Sequence, residues 1–195
     1  NSPFLKFAFR WTNRATSRSW DCVKSGLRLN ADAYLGLGAN LGSPKETFDR
    51  ALVLISEFAE ITSVSRLYRS NPYGFSDQPA FVNAAARIST DLPAFELLNQ
   101  LQSVERSLGK KVMRENGPRI IDLDLLLYDE LELSKKELIL PHPGIQERDF
   151  VLLPLIDLNP GLSHPQWGAK TLKSALDGLQ ERFVGESPDD WDFCG

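Results

Sequence analysis

Residues 120–128, IIDLDLLLY, constrain this chain more than any other stretch. Seven of the nine side chains are Ile, Leu or Tyr, the composition of a strand meant for burial. Asp122 and Asp124 interrupt it, and a buried carboxylate without a partner is costly, so the fold must supply something for them to hold. On a strand, residues two apart share a face. The two acids therefore project together, flanked by Ile120 and Leu126, while Ile121, Leu123, Leu125 and Leu127 form the helix-facing side. Adjacent carboxylates repel unless a cation or proton lies between them. Hard oxygen ligands on a rigid strand suit Mg²⁺, and two such ions would clamp the attacking and leaving oxygens of a phosphate transfer. A bare Asp-x-Asp is more often a solvated strand edge. Here Arg119 sits three residues upstream, held by Gly117–Pro118 after the basic loop 110–119, and cations beside paired acids suit a bridging polyphosphate.

The periodicities around this strand set the fold class. AYLGLGAN (33–40) reads as a buried strand running into a glycine turn. Ser43 with Glu46 three residues on forms a capping box, Pro44 takes the first helical position, and the apolar spacing predicts a helix over 44–58. A single strand is expected over 61–70, a loop over 71–79, and a second alternating strand over 80–90. In that strand Phe81, Asn83, Ala85 and Arg87 share one face, and Val82, Ala84, Ala86 and Ile88 the other. A helix with Pro93 in its first turn ends at Gly109. LPHPG (140–144) is a rigid turn, residues 147–160 predict a short helix broken near Pro154, and 171–180 a last surface helix. Strand, helix, strand, strand, helix, strand is the α+β, ferredoxin-like βαββαβ order: an antiparallel sheet with helices packed on one face.

Composition narrows the function. Residues 1–30 carry six Lys or Arg against one acid, which leaves 16 basic and 25 acidic residues in the rest. An acidic body argues against a nucleic-acid partner. No apolar run reaches the roughly 18 residues that a membrane span needs, and Cys22 and Cys194 lie too far apart in the chain for a CxxC motif. A cytoplasmic monomer is expected. Residues 1–31 read as a basic extension, non-native or flexible, residues 32–185 as the domain, and residues 186–195 as a C-terminal tail.

Other residues are weaker taken singly. GLGANLG (36–42) misses the dinucleotide-binding glycine spacing by one and reads better as a tight turn beside a ligand. His142, between two prolines, is a candidate positioned contact. Asn83 with Phe81 on one strand face fits ordinary sheet surface and, equally, a stacking platform with an edge-reading group for a flat heterocycle. Glu105 by itself reads as a surface acid on the second helix.

The ordered blocks GLGANLGSP, YRSNPYGFSDQPAFVNAA, GPRIIDLDLLLY and LPHPGIQERDFVLLPL resemble the 6-hydroxymethyl-7,8-dihydropterin pyrophosphokinase (2-amino-4-hydroxy-6-hydroxymethyldihydropteridine diphosphokinase) family, over residues 33–165. That resemblance implies an ATP-dependent transfer of pyrophosphate to a pterin hydroxymethyl group in folate biosynthesis, with release of AMP. It implies that Asp122 and Asp124 ligate two Mg²⁺ ions and that Arg119, His142 and Arg148 contact the triphosphate. Gln102 and Glu105 would line the nucleotide side, Leu98, Leu125 and Ile139 would lie near the adenine, and Lys110 and Arg114 would supply loop charge. The resemblance puts Ser70, Asn71, Tyr73, Phe81, Asn83 and Phe150 around the pterin. Glu115 and Asn116 stand where the family usually carries more arginine and an aromatic residue. Two other classes fit the bare acids: a non-catalytic nucleotide- or metal-binding relative, and another two-metal nucleotidyl-transfer enzyme.

Overall fold

Glycine and proline punctuate the chain where its periodicities change. β1 (Ala31–Ala39) passes through Gly42, at φ 68°, into α1 (Pro44–Ile55). β2 (Glu60–Val64), β3 (Tyr68–Ser70) and β4 (Phe81–Thr90) follow, then α2 (Ala94–Ser107) and β5 (Asp122–Tyr128). A small hairpin, β6 (Leu133–Ser134) with β7 (Ile139–Leu140), precedes α3 (Asp149–Leu158) and α4 (Leu172–Asp177). This computed structural model describes residues 30–74, 76–111 and 117–193. The basic stretch 1–29 and residues 112–116, among them Arg114, Glu115 and Asn116, lie outside the described residues.

Among the described residues, five strands form one sheet in the order β2-β4-β1-β5, with β3 beside β4 after β2; every pairing is antiparallel. This is the ferredoxin-like core with its second strand divided. The break falls at Ser65, where the strand leaves its ladder. Ser65 N donates to the Ala85 carbonyl and Ser65 Oγ accepts from Ala85 N, each at 2.9 Å. The single strand expected over 61–70 is thereby corrected to two.

Helices cover both faces of the sheet, not one. α1 and α2 close the first face over Leu35, Leu37, Ala84, Ala86, Ile88, Leu123 and Leu125. α3 closes the second through Leu152 and Leu155 against Tyr34, Ala85, Leu126 and Leu127. Leu127 therefore lies on the face opposite to that expected. The β1–β5 register slips between Tyr34 and Leu35, so Leu126 is an extra residue and Leu126 and Leu127 both turn toward α3. Ile120 precedes the strand and packs against the first cluster instead of flanking the acids.

Other boundaries move for local reasons. α1 ends at Ile55, and Phe58 and Ala59 reach the core through a turn whose amides donate to the Ile55 carbonyl. Ser43 makes no side-chain cap; its carbonyl accepts from Thr47 N and Thr47 Oγ1, each at 3.0 Å. Pro154 does not break α3. A proline removes one intrahelical bond, and buried Leu152 and Leu155 hold this ten-residue helix to the sheet. The described part of the tail 186–195 packs on the core. Trp191 is 4% exposed, packs on Phe48 at 5.8 Å between ring centroids, and donates from Nε1 to Asp49 Oδ1 at 2.8 Å. No helix of the described residues is long and apolar enough to cross a membrane.

A charged fork ties the strand break to α3. Arg66 donates from Nε (3.0 Å) and Nη2 (2.6 Å) to the Asp157 carboxylate, which also accepts from the Tyr68 hydroxyl at 2.7 Å. Burial raises Asp157, but the bonds from Arg66 and Tyr68 outweigh it and hold the carboxyl below its ordinary value. A lowered folded-state pKa gives stability that is complete above the unfolded value, near about 4, and is lost as pH falls through the folded value. Asp157→Asn is expected to cost about 1–2 kcal/mol at pH 7, and its gap to the wild type should close below about pH 4. Denaturant melts at pH 7 and pH 3 check both.

Candidate active site

The pairing register writes the site across the sheet. Asp122 of β5 lies opposite Gly38 of β1, Gly38 opposite Asn83 of β4, and Asn83 opposite Tyr68 of β3. One pleat along, Asp124, Gly36 and Ala85 form the neighbouring row. Paired residues share a face, so the acids and the amide stand on either side of glycines that contribute no side chain. A Cβ on Gly38 would lie 3.7 Å from Asn83 Oδ1 and 3.9 Å from Asp122 Cβ; one on Gly36 would touch Leu126 at 3.4 Å. Gly36 and Gly38, expected in a turn, are instead the floor of a groove within β1, whereas Gly42, at φ 68°, does make the turn.

Two clefts meet over this floor. Ser70, Asn71 and Tyr73 line the first from the end of β3 and the following loop. Phe81, Asn83, Arg119, Arg148 and Phe150 complete it. Leu98, Gln102 and Glu105 of α2 line the second, with Lys110, Leu125 and Ile139. Asp122, Asp124 and His142 belong to both. Every site residue expected from the sequence and described here thus falls on one cleft or the other. Arg119 and Arg148, expected to grip the triphosphate, open on the first cleft.

Each wall is held by a specific interaction. Asn83 Nδ2 donates to Ser70 Oγ (2.9 Å) and to the Tyr68 carbonyl (3.3 Å), which leaves Oδ1 toward the groove as an acceptor. Arg119 lies over the Phe81 ring at 5.5 Å and Arg148 over Tyr73 at 4.7 Å, so cation–π contacts fix both guanidinium groups. His142 follows a cis Leu140–Pro141 bond, and its amide donates to the Leu126 carbonyl at 2.9 Å. His142 Nδ1 accepts from Gly144 N at 3.1 Å, which leaves the proton of the neutral ring on Nε2. Burial and then Arg148 hold this imidazole below its ordinary pKa, against a smaller pull from Asp122, so it is neutral at pH 7.

The charges interlock. Lys110 Nζ donates to Glu105 Oε1 (2.7 Å) and to Asp122 Oδ1 (2.5 Å), and Arg119 Nη1 pairs with the other Asp122 oxygen. Burial lowers Lys110, but bonds from Asp122 and Glu105 leave its pKa raised. Asp124 accepts no hydrogen bond from the described residues. Its carboxyl is pushed up to about 7, by desolvation and then by the charges of Asp122 and Glu105. The side chain itself opens to solvent, and the crowding of the Asp122 and Glu105 carboxylates raises its pKa. Among the described residues no three His, Cys, Asp or Glu side chains cluster to enclose a metal. Asp122 and Asp124 instead make an open pair of hard oxygen donors, the set that fits an ion completed by phosphate and water.

Two roles lay beyond the sequence reading. Glu105 is not a surface acid but 6% exposed, and its Oε1 accepts from Leu123 N at 2.7 Å, on the free edge of β5 between the two aspartates. Asn40, 6% exposed, joins three segments: Nδ2 donates to Gln78 Oε1 and the Pro79 carbonyl, and Oδ1 accepts from Arg119 N at 2.8 Å. The only sequence signal for Asn40 is its place after the strand glycines; its partners lie 38 residues or more away.

An open acid pair on a ferredoxin-like sheet thus stands between an aromatic-walled cleft and a helix-lined one. Comparison with known proteins gives the family. Residues 34–160 match the family model described as 7,8-dihydro-6-hydroxymethylpterin-pyrophosphokinase (HPPK), and the chain belongs to that family. It is 42% identical over 134 residues to the 2-amino-4-hydroxy-6-hydroxymethyldihydropteridine pyrophosphokinase of Pseudomonas aeruginosa, covering 68% of this chain and 83% of that protein. It is 40% identical over 157 residues to the folic acid synthesis protein fol1 of Schizosaccharomyces pombe, covering 80% of this chain but only 21% of that protein. Among solved structures, Plasmodium falciparum HPPK-DHPS superposes with a TM-score of 0.61 at 15% identity, covering 76% of this chain and 43% of that one. That likeness is of fold.

Glu105→Ala should leave Leu123 N–H without its acceptor and cost about 1–3 kcal/mol of stability, whereas Glu105→Gln, which keeps an acceptor oxygen, should cost clearly less. Chemical denaturation of the two variants distinguishes them.

Proposed function

We propose that this chain transfers the β,γ-pyrophosphoryl group of ATP to the hydroxymethyl oxygen of 6-hydroxymethyl-7,8-dihydropterin, giving AMP and the pterin diphosphate in folate biosynthesis. The observation that carries the reading is the meeting of two unlike clefts at Asp122, Asp124 and His142. The first is walled by Phe81, Tyr73 and Phe150 and offers the Asn83 carbonyl, as suits a flat heterocycle with edge donors. The second, with Leu98, Leu125 and Ile139 beside the polar Gln102, Glu105 and Lys110, suits a nucleotide. Family membership and relatives named as pyrophosphokinases point the same way.

The chemistry follows from this placement. The pterin hydroxyl attacks the β-phosphorus and gives up its proton to solvent, and the bond from that phosphorus to the AMP oxygen breaks, so charge accumulates on the phosphoryl oxygens and on the leaving oxygen. Asp122 and Asp124 would hold two Mg²⁺ ions, with Lys110 and Arg119 giving up part of their hold on Asp122. An ion held there would neutralise phosphate charge beside the reacting oxygens. Arg119 and Arg148, which lie over the Phe81 and Tyr73 rings, would receive phosphoryl oxygens from the pterin side. Neutral His142 donates a hydrogen bond from Nε2 without adding a charge. Positioning supplies much of the rate, because both substrates reach one point on a rigid strand. Both clefts are built from a single chain, which supports a monomer as the working unit.

Incubation with ATP, Mg²⁺ and the hydroxymethyl dihydropterin is expected to yield AMP in step with pterin diphosphate; formation of ADP, or no product, would overturn the reading. Asp122→Asn is expected to reduce turnover by about a thousandfold or more while the protein still melts cooperatively.

A further inference from the structure

The segment 183–191 lies beyond the residues that match the family model, yet it runs along the wall of the first cleft. Leu67 and Asp189 exchange two backbone hydrogen bonds of 2.9 Å, and Asn71 N donates to the Phe183 carbonyl at 2.9 Å. With a bridge between Ser70 and Val184, the segment lies antiparallel to residues 67–71, outside β3. Trp191, set into the core on Phe48, anchors the far end.

The near end is anchored at the site. Asp149 is 1% exposed and stands at the start of α3 between Arg148 and Phe150, both of which line the cleft. Its Oδ2 accepts from Phe183 N (2.8 Å) and Val184 N (3.0 Å). Its buried Oδ1 has no partner among the described residues, so those two amides are its hydrogen-bonding anchors. The Phe183 ring then meets Tyr73 edge-on at 5.5 Å and Phe150 edge-on at 5.8 Å, while Tyr73 and Phe150 stand 6.4 Å apart. Phe183 does not itself line the cleft. It backs the two rings that do, and through Tyr73 it also backs Arg148.

We propose that the C-terminal strap is part of the heterocycle site: Phe183, clamped by Asp149, is a positioning residue that sets Tyr73 and Phe150 for the pterin ring. The inference rests on the functional reading above. Tyr73 is carried by a loop with two prolines and a glycine, is itself exposed, and has no ladder of its own. The strap supplies that ladder through Asn71 and Ser70, and the third ring closes an edge-to-face cluster of the kind aromatic side chains prefer.

Steady-state kinetics of the full chain test it. Phe183→Ala is expected to raise the KM for the dihydropterin roughly tenfold while the KM for ATP changes less than about twofold. Phe183→Leu, which keeps bulk but not the ring, is the second variant should alanine fail to fold, and should show the same split. Asp149→Ala should reproduce it, and Asp149→Asn, which keeps an accepting oxygen, should recover most of the affinity. An unchanged pterin KM, or equal rises in both KM values, would overturn the strap's role while leaving the functional reading standing. Absence of AMP formation by the wild-type chain would overturn both.

Discussion

The antiparallel pairing of β1 with β5 is the constraint on which the site depends. It sets Gly38 against Asp122 and Gly36 against Asp124, so the one strand that carries acids lies beside the one strand that leaves space. Shifting that register by one residue would turn the acids into the helix-packed layer and bring Leu123 and Leu125 out into the groove. The register is held from both sides. Leu123 and Leu125 are buried under α2, and Glu105 of α2 binds the edge amide of Leu123. A bulge at Leu126 then releases the strand into the second apolar layer, where His142 N takes the Leu126 carbonyl. The same few residues therefore set strand pairing, helix docking and the position of the one histidine in the clefts.

Electrostatics explains why the acids tolerate this position. Three carboxylates, Glu105, Asp122 and Asp124, crowd one end of the sheet, and Lys110 and Arg119 balance two of them. The remaining deficit falls on Asp124, which has no protein partner among the described residues and a raised pKa. A site left one positive charge short attracts a cation without needing an enclosing cage. Lys110 and Arg119 both pair with Asp122 in the free chain, and under the proposed function they would turn to phosphate oxygens once other cations share the acids.

Much of this was legible in the sequence because it rests on local rules. Alternation told which residues of β4 face together, and Asn83 and Phe81 did prove to share the open face. The i, i+2 spacing placed Asp122 and Asp124 on one side, as the two clefts show. His142 stood out by its place between two prolines, but only the family resemblance connected it, with Arg148 and Phe150, to a strand some twenty residues earlier. What escaped the reading was long-range. The bulge that turned Leu127 arises from a register slip with Tyr34, invisible in residues 120–128 themselves. Glu105 looked like a surface acid because nothing in a helical pattern reveals that a strand edge will present an amide to it. GLGANLG looked like a turn because glycine is read locally as conformational freedom, whereas Gly36 and Gly38 matter here for the volume they leave unfilled.

The two helical layers divide the work of the sheet. α1 and α2 pack on the first face with the largest apolar cluster and, through α2, reach the acids from the edge. α3 and the strap form the second layer, on the face where the groove opens, so part of that face must remain uncovered. A smaller apolar cluster follows from that requirement, and polar ties take its place: the Arg66–Asp157–Tyr68 fork, the Asp149 clamp, and the Leu67–Asp189 bonds. Such ties are directional. They hold an open wall at a set distance, where apolar packing alone would tend to close it. An open groove, with Tyr73 and Phe150 on its wall held against Phe183, is what that exchange of burial for geometry maintains.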